Sequence, residues 1–335
     1  MLNFKLFTFS FYLWIVTLKF VGNKRTVLKI YHSIHDFSTK GKTVCTLGTF
    51  DGVHLGHKKI IERLLKSSSA DAQSLVLTFF PHPRMVLQEE SDIKLLNTIA
   101  ERTLLLEQAG LEHLIIHPFD QSFSRLSAEE FVKNILVDVF KIQKIIIGHD
   151  HRFGRNRTAN ITDLIRFGKE YGFEVEQISA QEIDEVSISS TKIRTALMAG
   201  HITLANEYLG YPYFFSGTVI HGKKLGRTIG FPTANIKIEE SYKLIPACGV
   251  YIVSCTVGTQ NHKGILNMGQ NPTVEGQSLS IEVHLFDFKD DIYGQEISVS
   301  FLKRIRDEQK FNSVDALKTQ IAQDKLVAQQ FFENQ

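Results

Sequence analysis

The sequence predicts two domains in series: an α/β parallel-sheet domain, then a small antiparallel β-barrel closed by a C-terminal helix. Three observations predict this. The chain has 335 residues, and domains of about 150 residues are usual. From residue 42 to residue 179, short apolar runs alternate with segments of helical period, as in a parallel sheet whose crossovers are helices. From Tyr213 onward, strand-like runs follow one another across Gly, Asn and Pro turns, the pattern of an antiparallel sheet or barrel.

The elements can be read in order. KTVCTLGTF is a buried-strand run that turns into HKKIIERLLKSS, where Ile60, Ile61, Leu64 and Leu65 keep helical spacing. SLVLTFF (74–80) is a second strand, ended by PHP. NTIAERTLLLEQAG is a helix with Gly110 placed to stop it. HLIIHPF is a third strand. SAEEFVKNILVDVF is a helix whose Ser127 and Glu130 form a capping box. KIIIGHD (144–150), the helix NITDLIRFGKEYG and the strand FEVEQIS complete the alternation. SISSTKIRTALMAGHITLANEYLG reads as helices. The strands FFSGTVI, GVYIVSCTV, KGILNMG, LSIEVHLFDF and EISVSFLKRI follow, and SVDALKTQIAQDKLVAQQFF is one closing helix capped by Ser313. The boundary falls near 206–213, giving domains 28–206 and 213–335.

Composition narrows the function classes. Hydrophobic residues make up 43% and charged residues 22%, ordinary for a globular protein with real cores. A net charge of +2 without a long basic run makes no case for nucleic acid. Cys45, Cys248 and Cys255 have neither metal-ligand spacing nor the number for a disulfide framework. They read as reduced thiols, so the cytoplasm is the expected compartment. Residues 1–27 stand apart. MLNFKLFTFSFYLWIVTLKFV is strongly apolar, lacks a small-residue cleavage site, and its uncharged stretch from Leu6 to Leu18 is short for a membrane span. The expectation is an over-extended reading frame, with a tail or a membrane anchor as the alternatives.

Two segments are read as separate phosphate-handling sites. GTFDGVHLGH (48–57) joins a strand to a helix start, where an open parallel sheet binds ligands. Helix N-termini offer N–H groups and a positive dipole end to phosphate. Gly48, Gly52 and Gly56 allow close backbone approach. His54 and His57 would face one bound group and donate hydrogen bonds to phosphate oxygens as charge builds. The pattern is not HExxH, a P-loop or GxGxxG. The second segment, GTVIHGKKLGRTIGFPTANI (217–236), places Gly222, Gly226 and Gly230 with Lys223, Lys224 and Arg227. That composition suits a phosphate loop and suits a solvated basic hairpin equally. PTAN (232–235) adds a hydroxyl and an amide oxygen, ligands suited to Mg²⁺.

HxGH after a first strand resembles the nucleotidylyltransferase superfamily. The longer GTFDGVHLGH, with TFFPHP (78–83), GHDHRFG (148–154) and SISSTKIR (187–194), resembles the adenylyltransferase half of prokaryotic bifunctional riboflavin kinase/FAD synthetases. PTAN with NMGQNPT (267–273) and IEVHLFDF (281–288) resembles their kinase domain. The resemblance spans about residues 28–333. It implies a Rossmann-like first domain that converts FMN and ATP to FAD and pyrophosphate, and a barrel that phosphorylates riboflavin to FMN. Both steps would use Mg²⁺-ATP. His54 and His57 would stabilise the transferring α-phosphate. Gly48, Phe50, Asp51, Gly56, Ser189, Ser190, Thr191 and Arg194 would bind ATP, with Arg194 as a phosphate clamp. His82, Asp150, Arg152 and Arg304 would lie at or near flavin. His151 departs from the family's usual aromatic residue, which leaves a local stacking contact open. In the kinase, Thr233 and Asn235 match the Mg²⁺-ATP ligands, and Glu282 matches the base that deprotonates the riboflavin 5′-hydroxyl. From pattern alone, Glu282 is also an outward charge on an alternating strand. Competing expectations are a kinase with a decayed front domain, a flavin-binding protein without turnover, and a membrane-tethered form of the same enzyme.

Overall fold

The computed structural model describes residues 27–88, 91–149, 151–179, 188–222, 225–273 and 276–334. The apolar extension before residue 27, Asp150 and Lys223 lie outside the described residues. The chain forms two compact units. One holds Thr26–Ser216 together with Ile238–Ala247. The other holds Gly217–Lys237 and Cys248–Gln335.

The first unit is a six-stranded parallel sheet. Its strands are β1 (Lys29–Tyr31), β2 (Lys42–Leu47), β3 (Ala72–Phe79), β4 (His113–His117), β5 (Ile142–Gly148) and β6 (Glu174–Ile178), in the spatial order β1-β4-β3-β2-β5-β6. Its helices are α1 (Leu55–Ser67), α2 (Pro83–Leu87), α3 (Ile99–Gln108), α4 (Gln121–Ser124), α5 (Ala128–Glu130, running on into π-helical turns over Phe131–Val137), α6 (Ile161–Tyr171), α7 (Ser190–Met198) and α8 (Ile202–Leu209). The central strands β2, β3 and β5 are mostly buried, with apolar residues on both faces, because helices cover both faces. Leu75, Leu77, Ile145 and Ile147 enter one core with Phe131, Leu136, Leu164 and Phe167. Their neighbours Val76 and Ile146 enter the other with Ile61, Leu64 and Leu106. The capping box expected at Ser127 and Glu130 is present, and Thr98 with Glu101 makes a second one at α3. The sequence pattern shows five strands here. The sixth, β1, spans three residues at the sheet edge with no buried position, too short for a period to emerge.

The second unit forms a closed barrel of β7 (Phe214–Ile220, whose first three residues count with the first unit), β8 (Ala234–Lys237), β9 (Gly249–Val257), β10 (Gln260–Thr273), β11 (Gly276–Leu285) and β12 (Glu296–Arg306), ordered β10-β11-β8-β7-β12-β9. A short helix α9 (Leu225–Thr228) interrupts the Gly-rich loop, and α10 (Val314–Glu333) closes the chain with Ser313 as its N-cap. Five strands are legible in this part of the sequence; β8 hides inside PTANIK. Helix α10 lies on the barrel, where Phe286, Ile252 and Ile265 pack with Ala328 and Phe332. Arg306 pins it through a forked pair with Asp324, at 3.0 Å from Nε and 2.7 Å from Nη2. Among the described residues, no helix is long and apolar enough to cross a membrane.

Candidate active sites

The strand order of the parallel sheet reverses between β2 and β5, which are paired neighbours. Open α/β sheets bind ligands at that switch, outside the carboxyl ends of the strands. GTFDGVHLGH occupies it. The chain leaves Leu47 and turns into α1 through positive-φ backbone at Phe50 (47°), Gly52 (89°) and Val53 (35°). A Cβ at residue 52 would lie 2.6 Å from the Leu96 side chain. Non-glycine residues persist in this region only where their surroundings fix them. Phe50 and Val53 are both buried in the core beneath α1.

The turn delivers His54 as the N-cap of α1, with its Nδ1 accepting the His57 N–H at 3.4 Å. The His54 and His57 rings stack with centroids 3.7 Å apart, and the Phe50 ring lies 5.0 Å from His57. Burial lowers the His54 pKa to about 4; Asp51 opposes this and Arg194 adds to it. Burial, His54 and Arg102 push His57 well below the ordinary histidine value. Both rings are therefore neutral near pH 7. With Nδ1 accepting, the His54 proton sits on Nε2.

Asp51 is 1% exposed. Its carboxylate accepts from Leu96 N–H at 2.9 Å, Asn97 N–H at 3.3 Å and Arg102 Nη2 at 3.5 Å, and pairs with Arg194 Nη2. Arg194 also donates from Nε to the Lys94 carbonyl at 2.7 Å. Ser189 caps α7, and the Ser190 hydroxyl donates to the Asp51 carbonyl at 2.8 Å. Thr191 is exposed in the first turn of α7. The SISST segment and the HxGH turn are thus bonded to each other, as one phosphate site requires. His82 caps α2 by accepting from Arg84 N–H at 3.2 Å. Burial takes it to about 4, and it senses Asp51 and Arg194. Arg152 is exposed on the loop after β5, and the neighbouring His151 ring lies parallel to Phe153 at 6.2 Å. Arg102, 1% exposed beneath Asp51, has no mark in the sequence, where it reads as an ordinary helix-surface arginine.

The neutral histidines imply a pH dependence. The unfolded histidines titrate near 6.5, whereas folded His54 titrates at about 4. Between these values the unfolded chain binds more protons, so stability rises with pH through this window and is lost on acidification. The first unit's melting midpoint should fall from pH 7 to pH 5. His54→Asn, which keeps the cap, should flatten that slope; an unchanged slope would show that His54 is not its source.

In the barrel, β11 places Glu282 directly opposite Asn235 of β8 and opposite Asn267 of β10. The Thr233 hydroxyl donates to Glu282 Oε2 at 3.1 Å, and Ser280 donates to Oε1 at 3.0 Å. Thr233, Asn235 and Glu282 therefore form one cluster of hard oxygen donors. Mg²⁺ commonly takes one or two such protein oxygens, with phosphate and water completing the shell, so the donor set fits that ion. The glycine loop folds onto this cluster. A Cβ at Gly222 would lie 2.1 Å from Asn235 Nδ2, and one at Gly226 would lie 2.3 Å from the Phe231 carbonyl oxygen and 3.2 Å from Thr233 Oγ1. Gly230 takes a φ of 88°. A cavity of about 340 Å³ opens beside Thr233, lined also by Arg227, Leu285, Phe288, Asp291 and Tyr293. Asp291 and Tyr293 escaped the sequence reading, although DFKDDIYGQ is a marked turn. Arg304 is held by the Cys248 carbonyl at 2.6 Å and Asp307 at 2.7 Å. His284 breaks the expected alternation. It is buried, and its Nδ1 bonds the Pro232 carbonyl at 2.8 Å. Gly222→Ala should displace Asn235 and weaken binding of a metal-bound polyphosphate at this cluster by about 10-fold or more, since close packing leaves no room for the methyl. Calorimetric titration with Mg²⁺ and a nucleoside triphosphate checks this.

Residues 36–192 match the family model for FAD synthetase, and residues 209–332 match that for riboflavin kinase. The chain is 37% identical over 309 residues to the bifunctional riboflavin kinase/FMN adenylyltransferase of Escherichia coli K12, covering 91% of this chain and 98% of that one. The chain belongs to the bifunctional riboflavin kinase/FMN adenylyltransferase family. It is also 40% identical over 292 residues to the Listeria monocytogenes member, covering 86% of this chain and 92% of that one. A crystal structure of a Streptococcus pneumoniae protein named for macrolide efflux superposes with a TM-score of 0.83 at 33% identity, over 90% of this chain and 99% of that one. The stretch matching the riboflavin kinase model includes the Gly-rich segment 217–236.

Proposed function

We infer that this chain is a two-site enzyme that phosphorylates riboflavin to FMN in the barrel and adenylylates FMN to FAD in the parallel-sheet unit. The observation that carries this reading is the Glu282 carboxylate bonded to Thr233 and facing Asn235, in a chain whose other unit stacks two neutral histidines at a helix start. In the barrel, Glu282 takes the proton of the riboflavin 5′-hydroxyl as its oxygen attacks the γ-phosphate of ATP, and ADP departs. Thr233 and Asn235 would hold Mg²⁺, which when bound offsets charge on the ATP phosphates. Arg227 and the loop amides orient the phosphates.

In the first unit, a phosphate oxygen of FMN attacks the α-phosphate of ATP, the bond to the β-phosphate breaks, and pyrophosphate leaves. No protein nucleophile is needed. His54 and His57, being neutral, act as hydrogen-bond donors rather than as cations. The amides at the start of α1 and the guanidinium of Arg194 supply the positive field. Asp51 has its oxygens committed to Arg194, Arg102 and two backbone amides, so its role is to hold Arg194 in place. The free thiols, two of them buried, suit a reducing cytoplasm. Purified protein given riboflavin, ATP and Mg²⁺ should form FMN and then FAD, resolved by chromatography. Tight flavin binding without either product would refute the reading.

A further inference from the structure

We propose that Lys243, which lies within the stretch matching the riboflavin kinase model but belongs to the first compact unit, is a positioning residue for adenylyl transfer in that first unit. The proposal rests on reading Arg194 as a phosphate clamp. The chain leaves the barrel after β8, contributes Ile238–Ala247 to the first unit, and re-enters the barrel at β9. Lys243 anchors this strap. Its side chain is 0% exposed, and its ammonium donates to Glu101 Oε2 at 2.5 Å, the Leu96 carbonyl at 2.7 Å and the Phe214 carbonyl at 2.8 Å. All three donors are used, and the Tyr213 ring lies 4.6 Å from the nitrogen. The strap backbone reinforces the anchor. Leu95 N–H bonds the Tyr242 carbonyl at 2.7 Å, and Leu244 N–H bonds the Leu95 carbonyl at 2.8 Å.

The segment that Lys243 grips is the one that positions Arg194. Leu96 offers its carbonyl to Lys243 and its N–H to Asp51. Lys94, two residues earlier, offers its carbonyl to Arg194. Glu101, the anionic partner of Lys243, also closes the capping box of α3 through the Thr98 N–H at 2.9 Å, and the next residue is Arg102, which faces Asp51. One ammonium thus fixes residues 94–98 between the strap and Asp51, and that segment sets where the Arg194 guanidinium stands. Burial makes the arrangement demanding, because a lysine in this position must be fully paired.

The test uses the full chain with both half-reactions assayed separately. Lys243→Met should lower kcat/KM for FMN adenylylation by about 10- to 100-fold, the scale of a misplaced site group, and leave riboflavin phosphorylation unchanged. A double-mutant cycle separates positioning from general damage. If Lys243 acts through Arg194, Lys243→Met should cost little more once Arg194→Ala is present. Glu101→Gln/Lys243→Met, which removes both charges, should recover the melting midpoint without recovering adenylylation. The proposal is overturned if Lys243→Met leaves adenylylation intact, if both activities fall together, if the effects of Lys243→Met and Arg194→Ala multiply, or if the charge-free double variant regains full adenylylation. If Arg194→Ala alone leaves FAD formation untouched, the clamp reading itself fails and this proposal falls with it.

Discussion

His57→Ala should slow FAD formation by about 10²–10³-fold while FMN formation continues at its usual rate. His57 is clamped between the His54 ring at 3.7 Å and the Phe50 ring at 5.0 Å, and its Nδ1 is buried without a hydrogen-bond partner. A buried polar atom left unsatisfied has a cost, and a transferring phosphate would relieve it. Burial keeps the ring neutral, so what is lost is a placed hydrogen-bond donor and the orientation of its stacked partner. Removing one preorganised donor typically costs about 10²–10³ in kcat. Loss of the stack also loosens His54, so the upper end of that range is expected. The measurement follows FMN to FAD with FMN and ATP supplied, and riboflavin to FMN in the same preparation. Equal loss of both steps would show that the two sites are not independent. Retention of FAD synthesis would remove His57 from the chemistry.

Much of this was legible in the sequence, and the reason is locality. The strand–helix alternation, the capping box at Ser127 and the HxGH turn all depend on neighbours a few residues apart, where period and spacing carry the information. The charge network could not be read this way. Asp51 and Arg194 are 143 residues apart, and Glu101 and Lys243 are 142 apart. Nothing local distinguishes a buried arginine such as Arg102 from an exposed one. Asp51 lies inside a phosphate-site motif, so it reads as a ligand residue; only its depth and its four partners show that it faces inward. Residues 238–247 read as part of the barrel because they lie between two barrel strands, yet they belong to the other compact unit. The strand β8 is hidden because its four residues, Ala234–Lys237, begin inside the PTAN motif and are too few to show a period of their own. His284 and Phe286 hold the polar positions of an alternating strand; Phe286 is buried against α10, and His284 is buried with its ring against Phe231 and its Nδ1 on the Pro232 carbonyl.

Glu282→Ala should produce the reverse phenotype, with FMN formation lost and conversion of supplied FMN to FAD retained. In the sequence alone, Glu282 competes with the reading of an outward charge on a strand. The structure separates these readings by its company. A solvated surface carboxylate has no need of two hydroxyl donors, whereas Glu282 accepts from Thr233 and Ser280 and lies across from Asn235. Two roles remain for a carboxylate so placed: holding the Thr233–Asn235 cluster together, or removing a proton. Glu282→Gln discriminates between them. Glutamine keeps an oxygen to accept from one hydroxyl and preserves the strand, but it cannot take a proton at neutral pH. If Glu282 is the base, Gln and Ala should both lower kcat by about 10²–10⁴, with KM for ATP nearly unchanged in the Gln variant. If Glu282 only braces the cluster, Gln should retain most of kcat and Ala should raise KM for Mg²⁺-ATP. A base loses the chemical step whatever replaces it, while a brace is partly restored by any side chain that keeps the contact.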